Sequence, residues 1–326
     1  MLLAGDIGGT KTLLGLFSRA PSRPAPLDVQ SFPTADYGSL VEMVDAFLTR
    51  QPRGRPIIEA ASFGVAGPVI DDRAELTNVG WVVDGREAAI EFGLASVHLL
   101  NDLVAVAHSI SVLQPDELAL LQEGSPNLSG NAGLVAAGTG LGESYLFNDG
   151  RRLVPAPSEA GHSDFPARSA RELELSAWLI ARFGRPELEQ VVSGIGLRNL
   201  YAFTHPVPCE DIEGTSPPVD VPALISRKAF AGTCRYCMEA LELFVSAYGA
   251  ECGNLALRAV TTRGLYVGGG IAPKILAALQ TGLFLDSFCA KSPMEDLLAS
   301  IPVKVILNPQ AGLLGAAVFA NAQVLG

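Results

Sequence analysis

The stretch Leu2-Leu3-Ala4-Gly5-Asp6-Ile7-Gly8-Gly9-Thr10-Lys11-Thr12-Leu13-Leu14-Gly15-Leu16-Phe17 decides the fold. Leu2 to Ile7 reads as a buried strand, Gly8-Gly9-Thr10 as a tight turn and Thr12 to Phe17 as a second strand. The chain restarts this device after a polar break at Gln122 to Asn131. Ala132 to Ala137 is apolar, Gly138-Thr139-Gly140-Leu141-Gly142 follows, and Ser144 to Phe147 completes the pair. A further short strand, Leu265 to Val267, runs into Gly268-Gly269-Gly270. No short-period repeat is present, but the architecture is coarsely duplicated. Other strands are expected at Ala60 to Val65, Val97 to Leu100 and Val303 to Leu307. Helical spacing is found at Leu40 to Leu48, Leu103 to Leu113, Ala170 to Phe183 and Gly196 to Phe203, with one long helix over Arg227 to Ala259 that is expected to be interrupted at its glycines. Strands and helices mixed in this way predict α/β layers.

Composition narrows the function. The 326 residues suffice for two ordinary domains, and 48% hydrophobic against 17% charged residues exclude a disordered chain. A formal net charge of −11 leaves no basic stripe for phosphate backbones, so no nucleic-acid partner is expected. Val305 to Gly326 carries no charge, yet Asn308, Pro309, Gln310, Asn321 and Gln323 interrupt it, so no membrane span is expected. The N-terminal residues lack the pattern of a secretory signal, and five cysteines in no framework spacing fit reduced thiols, which predicts a cytoplasmic protein. Cys234-x-x-Cys237 lies in a helical pattern without a second pair, which favours a structural role over zinc or redox chemistry.

Glycine turns after apolar strands let successive backbone N–H groups converge on phosphate oxygens. Asp6 beside the first turn could hold magnesium directly or through water. The chain has no Gly-x-x-x-x-Gly-Lys-[Ser/Thr], Gly-x-Ser-x-Gly or His-Glu-x-x-His, and Gly194-Ile195-Gly196 reads as a helix start. Several polar residues stand out, each with a plainer alternative. Asn101-Asp102 could cap a helix, Thr77-Asn78 near Trp81 could form a turn, Ser158 to Asp164 could be a surface loop, and Glu189 could be an exposed helix acid. Together they supply carboxylates, an amide and an imidazole, the donors and acceptors a polyhydroxylated sugar requires. Phosphate cradles plus such a cluster point to phosphoryl transfer from a nucleotide to a sugar hydroxyl.

These residues resemble the bacterial glucokinase family, within the hexokinase–actin–chaperone ATPase superfamily, essentially end to end. Gly5-Asp6-Ile7-Gly8-Gly9-Thr10 resembles its first phosphate loop, Gly138-Thr139-Gly140 its second and Gly268-Gly269-Gly270 its adenosine-contacting turn. Asn101-Asp102 resembles its sugar and catalytic-base motif, Glu159-Ala160-Gly161-His162 its Glu-Gly-Gly-His element, and Glu189 its further sugar-binding glutamate. Ala160 departs from the usual glycine, and Lys11 is shared with the related repressor/kinase group. The zinc-binding Cys-x-Cys-Gly-x-x-Gly-Cys run of that group is absent, which places the chain with the zinc-free glucokinases.

The resemblance implies two ribonuclease-H-like (actin-like ATPase) α/β domains flanking an interdomain cleft, each on a mixed five-stranded sheet. The small domain would comprise residues 1–110 plus 308–326 and the large one 111–307. It implies ATP and Mg²⁺ as cofactors, with Asp6 as metal ligand, and a homodimer. The implied reaction is phosphorylation of D-glucose at its 6-hydroxyl, the first step of glycolysis. Asp102 would be the base, with Asn101, Glu159, His162 and Glu189 holding the sugar. A kinase of another hexose or amino sugar, or a catalytically silent sugar-binding regulator, are the alternatives.

Overall fold

A computed structural model of the chain describes every residue except 53, 77, 78, 210–218 and 326. The Thr77-Asn78 reading and much of the proline-rich excursion between His205 and Pro222 thus lie outside the described residues. The chain folds as two compact units, Met1–Gln114 with Asn308–Gly326, and Pro115–Leu307.

The first unit contains strands β1 (Leu2–Ile7), β2 (Lys11–Ser18), β3 (Ala25–Pro33) and β4 (Ala60–Val65), then β5 (Arg73–Leu76), β6 (Trp81–Asp84) and β7 (Val97–Asn101). Its helices are α1 (Leu40–Thr49), α2 (Gly85–Phe92), α3 (Asp102–Ser109) and a C-terminal helix, Ala311–Leu325. The main sheet has the order β3-β2-β1-β4-β7, and β5 pairs with β6 separately. Because β1 and β4 are covered on both faces, they read as unbroken apolar runs rather than alternations. Leu3 and Ile7 point with Phe63 and Val65 into a cluster with Met43, Val44 and Phe47 of α1. Leu2 and Ala4 point the other way, onto Leu313, Ala316, Ala317 and Ala320 of the C-terminal helix. Burying each of the larger side chains contributes about 1.5–3 kcal/mol. The uncharged tail is therefore a helix packed on the sheet, and among the described residues no helix is long and apolar enough to cross a membrane. α1 starts where Ser39 accepts the Glu42 N–H at 3.2 Å while the Glu42 carboxylate accepts the Gly38 N–H at 2.7 Å.

The second unit contains β8 (Leu118–Gln122), β9 (Ala132–Ala137), β10 (Leu141–Asn148), β11 (Leu153–Ser158), β12 (Gly264–Gly268) and β13 (Val303–Ile306). Its helices are α4 (Ala170–Phe183), α5 (Gly194–Thr204), α6 (Val221–Phe230) and α7 (Arg235–Ala259), followed by α8 (Leu276–Leu279), α9 (Leu283–Cys289) and α10 (Glu295–Ser300). Its sheet has six strands, β11-β10-β9-β12-β13-β8, and not the five implied by resemblance. The sixth is β8, which pairs antiparallel with β13, Ala119 opposite Val305.

The long helix expected over Arg227 to Ala259 is interrupted at one of its glycines, Gly232, and so is two. The chain leaves the helical path at Ala231 to Thr233, where Gly232 adopts φ +64°, and a fresh helix starts after Cys234. Gly249 and Gly253, where interruption was expected, lie inside α7 because they let α9 approach, with the Phe284 and Phe288 carbonyls filling the space of a Cβ. β3 was missed because only Phe32 of its nine residues is buried and prolines stand at 26 and 33, so no apolar period marks it.

Candidate active site

In the first unit, the parallel strands β1, β4 and β7 end in register, with Ile7 beside Val65 and Val65 beside Asn101. Loops beyond the carboxyl ends of parallel strands are where such sheets bind ligands. Gly8-Gly9-Thr10 closes the β1–β2 hairpin there, its Gly8 N–H donating to the Lys11 carbonyl at 3.1 Å. Thr34, buried and 24 residues further on, braces the turn. Its hydroxyl donates to the Gly8 carbonyl at 2.7 Å, and its N–H to the Thr10 carbonyl at 3.0 Å. Sequence reading missed Thr34 because nothing local marks a lone threonine as a turn support. Gly5 and Ile7 lie within the strand and not in the turn. Phe63 occupies the space of a Gly5 side chain, and the Ile7 side chain is in the core, so both position the turn without lining it.

Asn101 and Asp102 divide two roles. The Asn101 amide oxygen accepts the N–H groups of Leu103 at 3.0 Å and Val104 at 3.3 Å, and its Nδ2 donates to the Gly67 carbonyl at 3.0 Å. Asn101 thus caps α3, and Asp102, exposed as the first helical residue, accepts the Leu103 N–H through Oδ1 at 2.8 Å, at a position where the N-terminal dipole favours its carboxylate. Asp6, one residue before the end of β1, lies within electrostatic reach of it. Burial pushes the Asp6 carboxyl up to about 6, the Asp102 charge adds to the rise, and Lys11 opposes it. A Cβ on Gly312 would come within 2.8 Å of Asp6 Oδ2, so the C-terminal helix can seat its first turn on this carboxyl only with glycine there.

In the second unit, β9 and β12 run parallel with Ala136 beside Gly268, so the turns Gly138–Gly140 and Gly268–Gly270 lie side by side. The Gly138 N–H is committed to the Gly140 carbonyl at 2.8 Å, and the Gly138 carbonyl accepts the Gly194 N–H at 2.8 Å. A pocket of about 440 Å³ opens against both turns, bordered by Gly138, Thr139, Asp220, Ser226, Gly270 and Lys274. Asp220, Ser226 and Lys274 were not foreseen, because they come from α6 and from the turn after β12 rather than from any motif.

Glu189 is not a helix acid. It sits in a turn, its Oε2 accepts the Leu141 N–H at 2.9 Å, and it fills the space where a Gly140 side chain would stand, 2.4 Å from that Cβ position. Its own N–H donates to the Gly161 carbonyl at 2.9 Å, tying the glycine turn to the Glu159–His162 loop. Within that loop Glu159 is exposed, and its carbonyl accepts the His162 N–H at 3.0 Å. His162 Nδ1 lies 3.0 Å from Glu187 Oε2. The Glu187 hydrogen bond raises the His162 pKa against desolvation, and the weaker effects of the Glu189 and Glu159 charges add to the rise. Glu159, His162 and Glu189 are therefore one electrostatic neighbourhood. Arg185 holds it in place, donating to Glu187 Oε1 at 2.7 Å and to the His162 carbonyl at 2.8 Å. Glu187 and Arg185 were also missed, although their closeness to Glu189 in Arg185-Pro186-Glu187-Leu188-Glu189 was an available signal.

The donors fit the two groups the sequence implies. Amide-rich turns suit phosphate, and an Asp6 carboxyl whose ionisation is opposed by burial and by Asp102 would gain from a divalent cation beside it.

Two α/β units, each with a glycine turn closing a strand hairpin, define the actin-like ATPase fold of the sugar kinases. Among solved structures, a glucokinase from an Antarctic psychrotroph superposes with TM-score 0.87 at 27% identity, over 98% of both chains. A ROK-family glucokinase from Streptomyces griseus, solved with glucose and AMPPNP, shares the fold with TM-score 0.66 at 20% identity, over 98% of this chain and 99% of that one. The Glucokinase family model matches residues 3–323, and a glucokinase of Nostoc punctiforme is 40% identical over 98% of each chain. The chain belongs to the glucokinase family.

Proposed function

We infer that this protein transfers the γ-phosphoryl group of ATP to the 6-hydroxyl of D-glucose. The observation that carries the chemistry is the placement of Asp102, an exposed carboxylate at the start of α3 and at the carboxyl edge of β1, β4 and β7, next to a second, buried carboxyl. Asp102 accepts the hydrogen bond of the 6-hydroxyl and takes its proton as the oxygen attacks phosphorus, a contribution of roughly 10²–10⁴-fold. Asn101 keeps only part of its amide for the sugar, since most of it is engaged in the cap, so its main role is to aim Asp102. Glu159, His162 and Glu189 hold sugar hydroxyls, with Glu189 also fixing the Gly138–Gly140 turn. His162 presents Nε2, because Nδ1 is bound to Glu187.

The amides of Gly9 and Thr10 in one turn and of Thr139 and Gly140 in the other are the donors for phosphate oxygens, since those of Gly8 and Gly138 are spent within their own turns. The pocket beside Gly270 and Lys274 takes the nucleoside. Asp6 would hold Mg²⁺, which when bound neutralises phosphate charge. A cytoplasmic homodimer acting at the entry of glycolysis completes the reading and is checked by sedimentation and cell fractionation.

The test is Asp102→Asn in a coupled ADP-release assay with a panel of hexoses. Loss of kcat by two orders of magnitude or more, with glucose affinity by calorimetry kept within about threefold, is expected. Near-normal turnover would remove Asp102 from the chemistry, and a higher kcat/KM for another hexose would replace glucose as the substrate.

A further inference from the structure

Outside the site described above, four ligand-type atoms from separate parts of the chain converge on one point. They are His205 Nε2 just after α5, Cys209 Sγ in the loop beyond it, and Cys234 Sγ and Cys237 Sγ at the start of α7, all within 4.8 Å of one another. Cys209 Sγ lies 3.7 Å from Cys237 Sγ, and His205 Nε2 lies 3.4 Å from Cys234 Sγ and 3.6 Å from Cys237 Sγ. The sulfur separation is far too long for a disulfide, whose S–S bond is about 2.0 Å. Tetrahedral zinc, with Zn–S of about 2.3 Å and Zn–N of about 2.0–2.1 Å, places its ligands about 3.8 Å apart for two sulfurs and about 3.5 Å for sulfur and nitrogen. The three separations given above match those values, and all the remaining ones fall within 4.8 Å.

The surroundings are those of ligands. His205 Nδ1 lies 2.9 Å from the Tyr201 carbonyl, which fixes the tautomer with its proton on Nδ1 and leaves the Nε2 lone pair pointing into the cluster. Tyr201 stacks on the imidazole with ring centroids 3.8 Å apart, and its hydroxyl accepts the Cys209 N–H at 3.0 Å. Cys234 occupies the N-cap position of α7, yet its side chain caps nothing there. His205 and Cys237 are buried, and Cys209 and Cys234 half-buried.

We propose that His205, Cys209, Cys234 and Cys237 form a structural zinc site with all four positions filled by protein. Binding converts Zn²⁺ and three thiols into a tris-thiolate imidazole complex with release of three protons, so no oxidant or reductant is involved. The site is not the Cys-x-Cys-Gly-x-x-Gly-Cys arrangement of the related repressor/kinase group, which this chain lacks. Its position gives it a task. Residues 205–234 enclose α6, which borders the pocket assigned above to the nucleoside through its N-cap Asp220 and through Ser226, so one ion pins both ends of that segment to α5 and α7.

The test is elemental analysis of tag-free protein expressed in zinc-supplemented medium, followed by Co²⁺ exchange. About one zinc per chain is expected, together with the intense visible bands and thiolate-to-cobalt charge transfer of tetrahedral Co²⁺. Cys209→Ser should lose most of the metal and the charge-transfer band, whereas Cys289→Ser, outside the cluster, should keep both. Should Cys209→Ser fail to fold, stripping the wild type with a mercurial and titrating Zn²⁺ back gives the same readout. Less than about 0.1 zinc per chain with an octahedral Co²⁺ spectrum would show thiol–imidazole hydrogen bonds alone and overturn the proposal, as would stoichiometric iron or copper in place of zinc.

Discussion

Replacing Asp6 by Asn should stabilise the metal-free protein at alkaline pH while disabling it as a kinase. In the fold the Asp6 carboxyl titrates at about 6 instead of the usual 3.8, chiefly through burial and then through Asp102. A raised carboxyl pKa means that the native state holds a proton the unfolded chain has released. Stability is therefore highest below the unfolded pKa and falls as pH rises through the window to about 6. At 1.36 kcal/mol per pKa unit, ionised Asp6 costs about 3 kcal/mol above that window. Roughly 1 kcal/mol of this is already present near pH 4.5, so about 2 kcal/mol should appear between pH 4.5 and 8. Asp6→Asn, which cannot ionise, should escape that loss. Urea unfolding of both proteins without divalent metal, at about pH 4.5 and pH 8, should show the variant gaining about 2 kcal/mol on the wild type, or about 4–8 °C in Tm. Adding Mg²⁺ and ATP should favour the wild type alone, since only it keeps the carboxylate. The reasoning would be refuted if the stability difference between the two proteins were the same at both pH values.

Four other outcomes follow from named contacts. Glu187→Gln should bring the His162 pKa down towards 6.5, as read by NMR titration, because the hydrogen bond that raises it is weakened; an unmoved titration would place the cause elsewhere. The stabilisation His162 draws from that pair is full below 6.5 and fades as pH rises through the folded value. Thr34→Val should cost about 1–3 kcal/mol by stranding the Gly8 carbonyl, and should raise KM for ATP more than for glucose, measured by steady-state kinetics. Glu189→Gln should weaken both substrates, since one carboxylate serves the Gly140 turn and the sugar side; an effect on glucose alone would argue against its bracing role. Burial and the neighbouring Glu251 push the Glu143 carboxyl up to about 9, so stability lost as pH rises towards that value should be spared in Glu143→Gln, compared by urea unfolding from about pH 6 to 10.

Elements marked by glycine and by unbroken apolar runs were readable from the amino-acid order alone. The β1–β2 and β9–β10 hairpins, their turns and helix α4 were legible because buried strands and tight turns impose local rules. The α3 cap was legible as a choice between Asn101 and Asp102, and hydrogen bonds to Leu103 and Val104 made Asn101 the cap. Which residues serve those elements from a distance emerged only from packing. Thr34 under the first turn, Glu187 behind His162 and Gly312 against Asp6 are set by register and packing, which leave no trace in local spacing. The same holds for Cys234-x-x-Cys237. Without a second pair nearby it read as structural thiols, yet folding α5 back onto the start of α7 brings His205 and Cys209 to it across more than twenty residues. Short-range rules write themselves into neighbouring residues, whereas a ligand cluster assembled by helix packing exists only once the chain has closed on itself.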